Sequence, residues 1–331
     1  MFSRVAIMIL LLLVFADIIT QVEFIYYLTG AYFIRALAMF LFALKLYKPK
    51  FSFQLPKNYK EVFKYASYII LAGSAGAILL DIDKFMIPQK EAIEMVAYYA
   101  VGVYIASVVE IPGRAMAQIV QPITAKALNE NNVIEINELY KSTSINLLVT
   151  CGLFFLLINL NINQAYLLID EKYSGGVMVV MMISIAKLYT MSLGNNGAII
   201  SNSKHYKILL PYAVAMALSV YFLNDWLIGV LSMNGAALST LLVILIFNTV
   251  KIWYVKKKFN VQPYTVKTLL LFVIIGVFYI VFSFWDFSFH PILNIVLKSI
   301  LITVGYLMIV YKLKISLEMN NLIAKFIKSN Q

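Results

Sequence analysis

The chain has 331 residues, 62% of them hydrophobic and 13% charged. That excludes a soluble globular domain, where about half of residues are apolar and roughly a quarter charged. A net charge of +11 is compatible with nucleic acid as a partner, but the basic residues are spread among short loops. That pattern sets membrane topology and builds no nucleic-acid reader.

In chain order, ten apolar stretches are long enough to predict membrane spans, at about 20 residues each. They run over residues 4–22, 25–46, 63–81, 92–122, 142–162, 176–199, 207–224, 230–253, 268–285 and 291–311. The first, within "MFSRVAIMILLLLVFADIITQ", has the basic residue and apolar core of a signal peptide. It lacks a small-x-small cleavage site and a second apolar run follows at once, so it reads as a membrane helix. Small residues four apart, as in "AGSAGA" at 72–77 and "NGAALS" at 234–239, predict close helix–helix approach. Cys151 lies inside an apolar run; there is no disulfide framework and no cysteine metal site. The tail "KISLEMNNLIAKFIK" places Ile315, Leu322, Ile323, Phe326 and Ile327 on one helical face. It reads as a helix lying on the membrane surface or as a frayed tail.

Eighteen of the 27 Lys and Arg residues are Arg4 and those of the segments after spans two, four, six, eight and ten, with Lys251 counted in the fourth segment. The alternate loops hold only Lys84, Lys90 and Lys172. Positive residues stay inside, so both termini are expected in the cytoplasm, as an even number of spans requires. Lys45, Lys64 and Lys298 sit near span ends, where they can snorkel.

Arg35, Arg114 and Lys187 sit deeper, together with Asp17 and Glu110. A charge in a span costs on the order of 3 kcal/mol, so it tends to have a partner or a task. Asp17 and Arg35 flank a hairpin expected near Ile25, which suggests either a structural ion pair or a functional one. Glu110 and Arg114 are four apart and can pair along one helical face. Pro112 and Gly113 lie between them, and such a proline often kinks a helix that lines a cavity. Arg114 therefore reads either as facing a substrate cavity or as locking the helix with Glu110. Lys187 has no acid on its own span; an unpaired ammonium there must meet water or an anionic ligand. Three deep cations against two deep acids suggest an anionic substrate, since arginine and lysine both suit phosphate. At the end of the third span, Asp81 and Asp83 form either an interfacial cap or part of a coupling-cation site. Asn224 and Asp225, at the end of span seven, are then its companions.

No P-loop, GxSxG elbow, HExxH or Cys/His cluster occurs in the sequence, motifs that would carry nucleotide, acyl-transfer or zinc chemistry. His205 and His290 are far apart in sequence. No catalytic residue, metal ligand or cofactor site is therefore assigned, and an enzyme is not expected. A channel would want a repeated pore element, and none is visible. A transporter remains.

The blocks "DIDKFMI", "AYYAVGVYIASVVEIPGRAMAQIVQPITAKALNE", "LYKSTSINLLVTCGLFFLLINLNINQAYLLIDEKYSGG", "AKLYTMSLGNNGAIISNSKHYK" and "MNGAALSTLLVILIFNTVKIWYVKKKF" resemble, in that order, the polysaccharide flippases of bacterial envelope synthesis (O-antigen flippase-like). These belong to the multidrug/oligosaccharidyl-lipid/polysaccharide exporter superfamily. The resemblance implies an all-α polytopic protein of the bacterial inner membrane. Its partners would be a lipid-diphosphate-linked oligosaccharide and membrane lipids, with a proton or sodium as coupling cation. Two lobes would rock about a cationic cavity to move the substrate. Arg114 and Lys187 would lie in the C-terminal lobe, with Arg35 and Glu110 as further cavity candidates. The expected organisation is a partial N-terminal lobe (1–46), a linker (47–62), a six-helix C-terminal lobe (63–255), an additional hairpin (256–311) and a tail (312–331). About four N-terminal spans of the family pattern have no counterpart. A cation-coupled multidrug exporter and a truncated, non-functional remnant are the alternative expectations.

Overall fold

A computed structural model of the chain describes residues 2–47, 58–169 and 171–321; at residues 2–4, 21, 75–80 and 171 it describes the backbone alone. The described residues form α-helices and short 3-10 turns, with no strand. The helices are α1 (Phe2–Phe15), α2 (Gln21–Leu46), α3 (Tyr59–Met86), α4 (Glu94–Ser107), α5 (Ile111–Asn129) and α6 (Val133–Ile169). After these come α7 (Val177–Ser192), α8 (Asn196–Ser201), α9 (Leu209–Leu231), α10 (Met233–Phe259), α11 (Val266–Ser283) and α12 (Pro291–Lys312).

Among the described residues, eight helical stretches are long and apolar enough to cross a membrane: Val22–Leu46, Glu94–Asn129, Val133–Ile169, Lys172–Ser192, Tyr206–Leu231, Met233–Phe259, Val266–Ser283 and Pro291–Lys312. With lipid unable to satisfy backbone polar groups, a helix is how such a chain crosses a bilayer. The chain is thus an all-α polytopic membrane protein. The first and third of the ten predicted spans are not among the eight. α1 has 14 residues, about 21 Å at 1.5 Å per residue, short of a hydrocarbon core about 30 Å thick. α3, with 28 residues, is long enough to cross, but the side chains of residues 75–80 in its middle lie outside the described residues.

The chain divides into two units, Met1–Lys60 and Glu61–Gln331. The first is the α1–α2 hairpin. Thr20 caps α2, accepting from the Glu23 amide while the Glu23 carboxylate accepts from Thr20. This reciprocal capping sharpens the turn. The hairpin therefore closes at residues 16–20 rather than near Ile25. Asp17, at φ 54°, sits in the connection, whereas Arg35 lies in the middle of the 26-residue α2. They are about 20 Å apart along the helix axis, so the equal depth that suggested an ion pair is not realised.

The second unit is built around α6, whose 37 residues carry the largest buried share of any span. Leu148, Cys151 and Leu156 of α6 pack with Leu271 and Ile275 of α11 and Ile302 and Tyr306 of α12. The Tyr306 hydroxyl donates to the Val149 carbonyl at 3.0 Å. Lys298 of α12 is buried and meets Asp286, in the connection between α11 and α12, at 3.0 Å. Polar pairs tie further helices together, as expected where lipid supplies no hydrophobic drive. Ser144 of α6 donates to the Ser192 carbonyl of α7 at 2.6 Å, and Asn248 of α10 donates to Thr190 of α7 at 3.0 Å. Near the predicted kink, the helix is interrupted by a 3-10 turn, Val108–Glu110, and restarts with Pro112 in the first turn of α5.

The tail residues Leu322, Ile323, Phe326 and Ile327 and the linker lysines Lys48, Lys50 and Lys57 lie outside the described residues, as does the side chain of Ala77 in the "AGSAGA" stretch.

Candidate functional site

Two polar clusters inside the second unit gather side chains from different helices, each around one carboxylate. The first centres on Glu110, in the 3-10 turn between α4 and α5. Its carboxylate accepts from Arg114 at 2.5 Å, one turn along α5, and from Lys187 of α7 at 2.8 Å. Lys187 therefore has a partner after all, and that partner comes from another span. The Glu110 and Lys187 side chains are 18% and 15% exposed, whereas Arg114 is 66% exposed. The cluster thus carries two cations on one acid, with the guanidinium at the open end. Arginine in that position keeps donors free in a planar fork that fits a phosphate or carboxylate.

Beside this cluster, a cleft of about 370 Å³ runs along α5 from Gly113 to Gln121 and is closed by α6 and the α7–α8 turn. Arg114 does not line it. Gly113 packs so closely on α7 that a Cβ there would lie 2.2 Å from the Met191 sulfur. At the far wall, Asn195 donates to Thr124 at 2.7 Å.

The second cluster centres on Asp83 of α3, which is 3% exposed. One carboxylate oxygen accepts from Asn224 of α9 at 2.6 Å. The other accepts from Thr240 of α10 at 2.9 Å and from the Tyr99 hydroxyl of α4. Four helices thus converge on one carboxylate. Three donors offset part of its desolvation, which is severe for an isolated buried charge. The amide oxygen of Asn224 is fully buried and has no donor among the described residues. A carboxylate, an amide oxygen and two hydroxyls form an all-oxygen set, suited to a hard cation or to a proton carried by Asp83.

Of the sequence candidates, Asp83 and Asn224 are brought together and Asp225 is not. Successive helical residues point about 100° apart, so with Asn224 facing inward Asp225 faces out. It is 65% exposed and pairs with Lys90 at 2.7 Å. Asp81 likewise faces outward and pairs with Lys84 at 2.7 Å. Tyr99 and Thr240 were missed. Thr240 follows the small-residue run "GAALS", whose packing role hid the hydroxyl at its end. Tyr99 carries no sequence signal beyond lying in an apolar span. Arg35 belongs to the first unit and is described there alone. Among the described residues, no three His, Cys, Asp or Glu side chains gather to hold a metal ion.

The build is that of a membrane transporter: many apolar helices with charged groups held between them. Compared with known protein families and with characterised proteins, the chain matches no family and no individual protein.

Proposed function

We propose that this chain moves a lipid-diphosphate-linked oligosaccharide across the bacterial inner membrane by alternating access, with both termini in the cytoplasm. The observation that carries the reading is the Glu110 cluster, in which two cations share one acid and the guanidinium of Arg114 is left exposed. The net positive charge of two cations on one acid favours a diphosphate over a cationic cargo. Block order along the sequence supports the same family.

Coupling falls to Asp83. A sodium ion or a proton bound there would neutralise the Asp83 carboxylate; the Asn224 amide, whose nitrogen donates to Asp83, would have to turn to bring its oxygen to that ion. Because the ligands come from α3, α4, α9 and α10, loading biases how four helices pack. A cation does this only through differential affinity for the two packings. Asp225 plays no part, since its carboxylate is held by Lys90.

The test uses a strain lacking the gene, complemented with this chain and its variants. The face on which lipid-linked oligosaccharide accumulates is measured with a membrane-impermeant glycan probe. Wild-type chain should move the glycan outward, and Arg114→Ala and Asp83→Asn should each trap it inside. Outward movement unchanged in both variants would sink the assignment. The Asp83 cluster also fits a cation-coupled multidrug exporter. That reading predicts greater sensitivity to cationic dyes on deletion, with surface glycan intact.

A further inference from the structure

A third charged feature lies away from both clusters, at the lysine-rich helix ends. A cleft of about 230 Å³ opens between the α5–α6 turn, the α8–α9 connection and the end of α10. Its floor is apolar, formed by Leu128, Ile136 and Val261. Ile136 and Val261 belong to a buried cluster with Tyr140 and Ile199. Its rim carries three basic groups: Lys204 and His205 from the α8–α9 connection and Lys258 from α10. The His205 ring is held edge-to-face against Phe259 and Tyr254, with centroids 5.5 and 6.0 Å away. That packing fixes the imidazole at the cleft. Burial, then Lys258, then Lys204 hold its pKa below the usual histidine value.

Among the described residues, no carboxylate lines the cleft. The nearest acids in sequence are engaged elsewhere: Glu130 with Lys126 at 3.9 Å, and Glu135 with Asn132 at 3.0 Å. Converging cations with no internal counter-charge are an unfinished electrostatic arrangement. An anion in the cleft would complete it.

We propose that this cleft binds a phosphate-bearing anion, bridging the α8–α9 connection to the end of α10. Basic pockets between membrane helices are suited to anionic lipid headgroups, and a soluble phosphate offers the same chemistry. The volume exceeds the roughly 30 Å³ of one water several-fold, enough for a phosphate with its immediate substituent. The apolar floor admits the carbon side of that substituent, while three donors meet the oxygens. Occupancy is linked to pH through His205. The empty cleft disfavours imidazolium, an anion favours it, and so binding strengthens as pH falls.

The chain has two histidines, which makes the test direct. His290 caps α12, accepting from the Ile292 amide, so His290→Asn keeps a good cap and leaves His205 as the only imidazole. The purified full chain, ¹⁵N-labelled at histidine in a neutral detergent, is titrated with pH by NMR. Three conditions are compared: no addition, inorganic pyrophosphate, and short-chain phosphatidylglycerol with phosphatidylcholine as control. Either anion should raise the His205 midpoint by about one pH unit. A response to phosphatidylglycerol alone identifies a headgroup site, and a response to pyrophosphate identifies a site open to soluble phosphate. In Lys204→Gln/Lys258→Gln, the anion-free midpoint should rise and the anion response should vanish. An unmoved midpoint with both anions overturns the proposal. So does an anion response that survives the double substitution, because it would then come from general micelle charge.

Discussion

Glu110 holds two cations with one carboxylate, and the consequences of losing it are asymmetric. Glu110→Gln leaves the little-exposed Lys187 ammonium without its counter-charge, and breaking such a pair on one side costs about 3 kcal/mol or more. Removing both charges removes the penalty. Glu110→Gln should therefore lower the detergent melting temperature clearly, while Glu110→Gln/Lys187→Met should recover most of it. Additive losses in the cycle would show that the two residues do not interact. Arg114→Ala, on an exposed side chain, should change stability by less than about 1 kcal/mol and act on transport alone. At this scale the sequence was half legible. The four-residue spacing of Glu110 and Arg114 made their pairing readable, because one helix sets that distance. The Lys187 contact spans 77 residues of chain, and no local pattern encodes it.

The α9–α10 connection shows how an element is held shut. Gly235, in the first turn of α10, lies so near α9 that a Cβ would stand 2.1 Å from the Leu227 carbonyl oxygen. Backbone cannot yield as a side chain can, so Gly235→Ala should destabilise by about 2 kcal/mol, read as a loss of thermal stability. Three residues earlier, Ser232 sits at φ 54°, ψ −140°, a region close to one that only glycine occupies easily. Ser232→Gly should relieve that strain and raise the melting temperature. A fall would mean that the serine contributes more to the turn than its strain removes. This hairpin also positions Asn224 and Thr240 on the two sides of Asp83, so its closure and the carboxylate cluster are one arrangement. The sequence marked the small residues of "NGAALS" as a contact. The direction of that contact, and the hydroxyl carried just past it, follow from how α9 and α10 pack.

Orientation belongs to the whole molecule, and the chain suits a direct measurement of it. Its single cysteine, Cys151, is fully buried in the α6 core and should resist a membrane-impermeant maleimide in the folded protein. Single cysteines introduced at exposed sites then report without background. On the proposed inner-membrane topology, Lys204→Cys should label only after the membrane is permeabilised, and Glu91→Cys should label from outside in intact spheroplasts. The reverse pattern would invert the topology.

Composition alone determined that this protein lives in a bilayer, because burying so much apolar surface needs either lipid or a core larger than the chain can build. Hydropathy along the sequence determined where most helices run, since a span must be about 20 apolar residues long. It overran the first span, because apolar character continues past Phe15 while the Thr20 cap starts a new helix. Only the tertiary structure decided which charges meet. Helical periodicity fixes neighbours three and four residues away and says nothing of a partner on another helix. That is why Asp83 with Asn224, Tyr99 and Thr240, and Glu110 with Lys187, became visible only once the helices were packed.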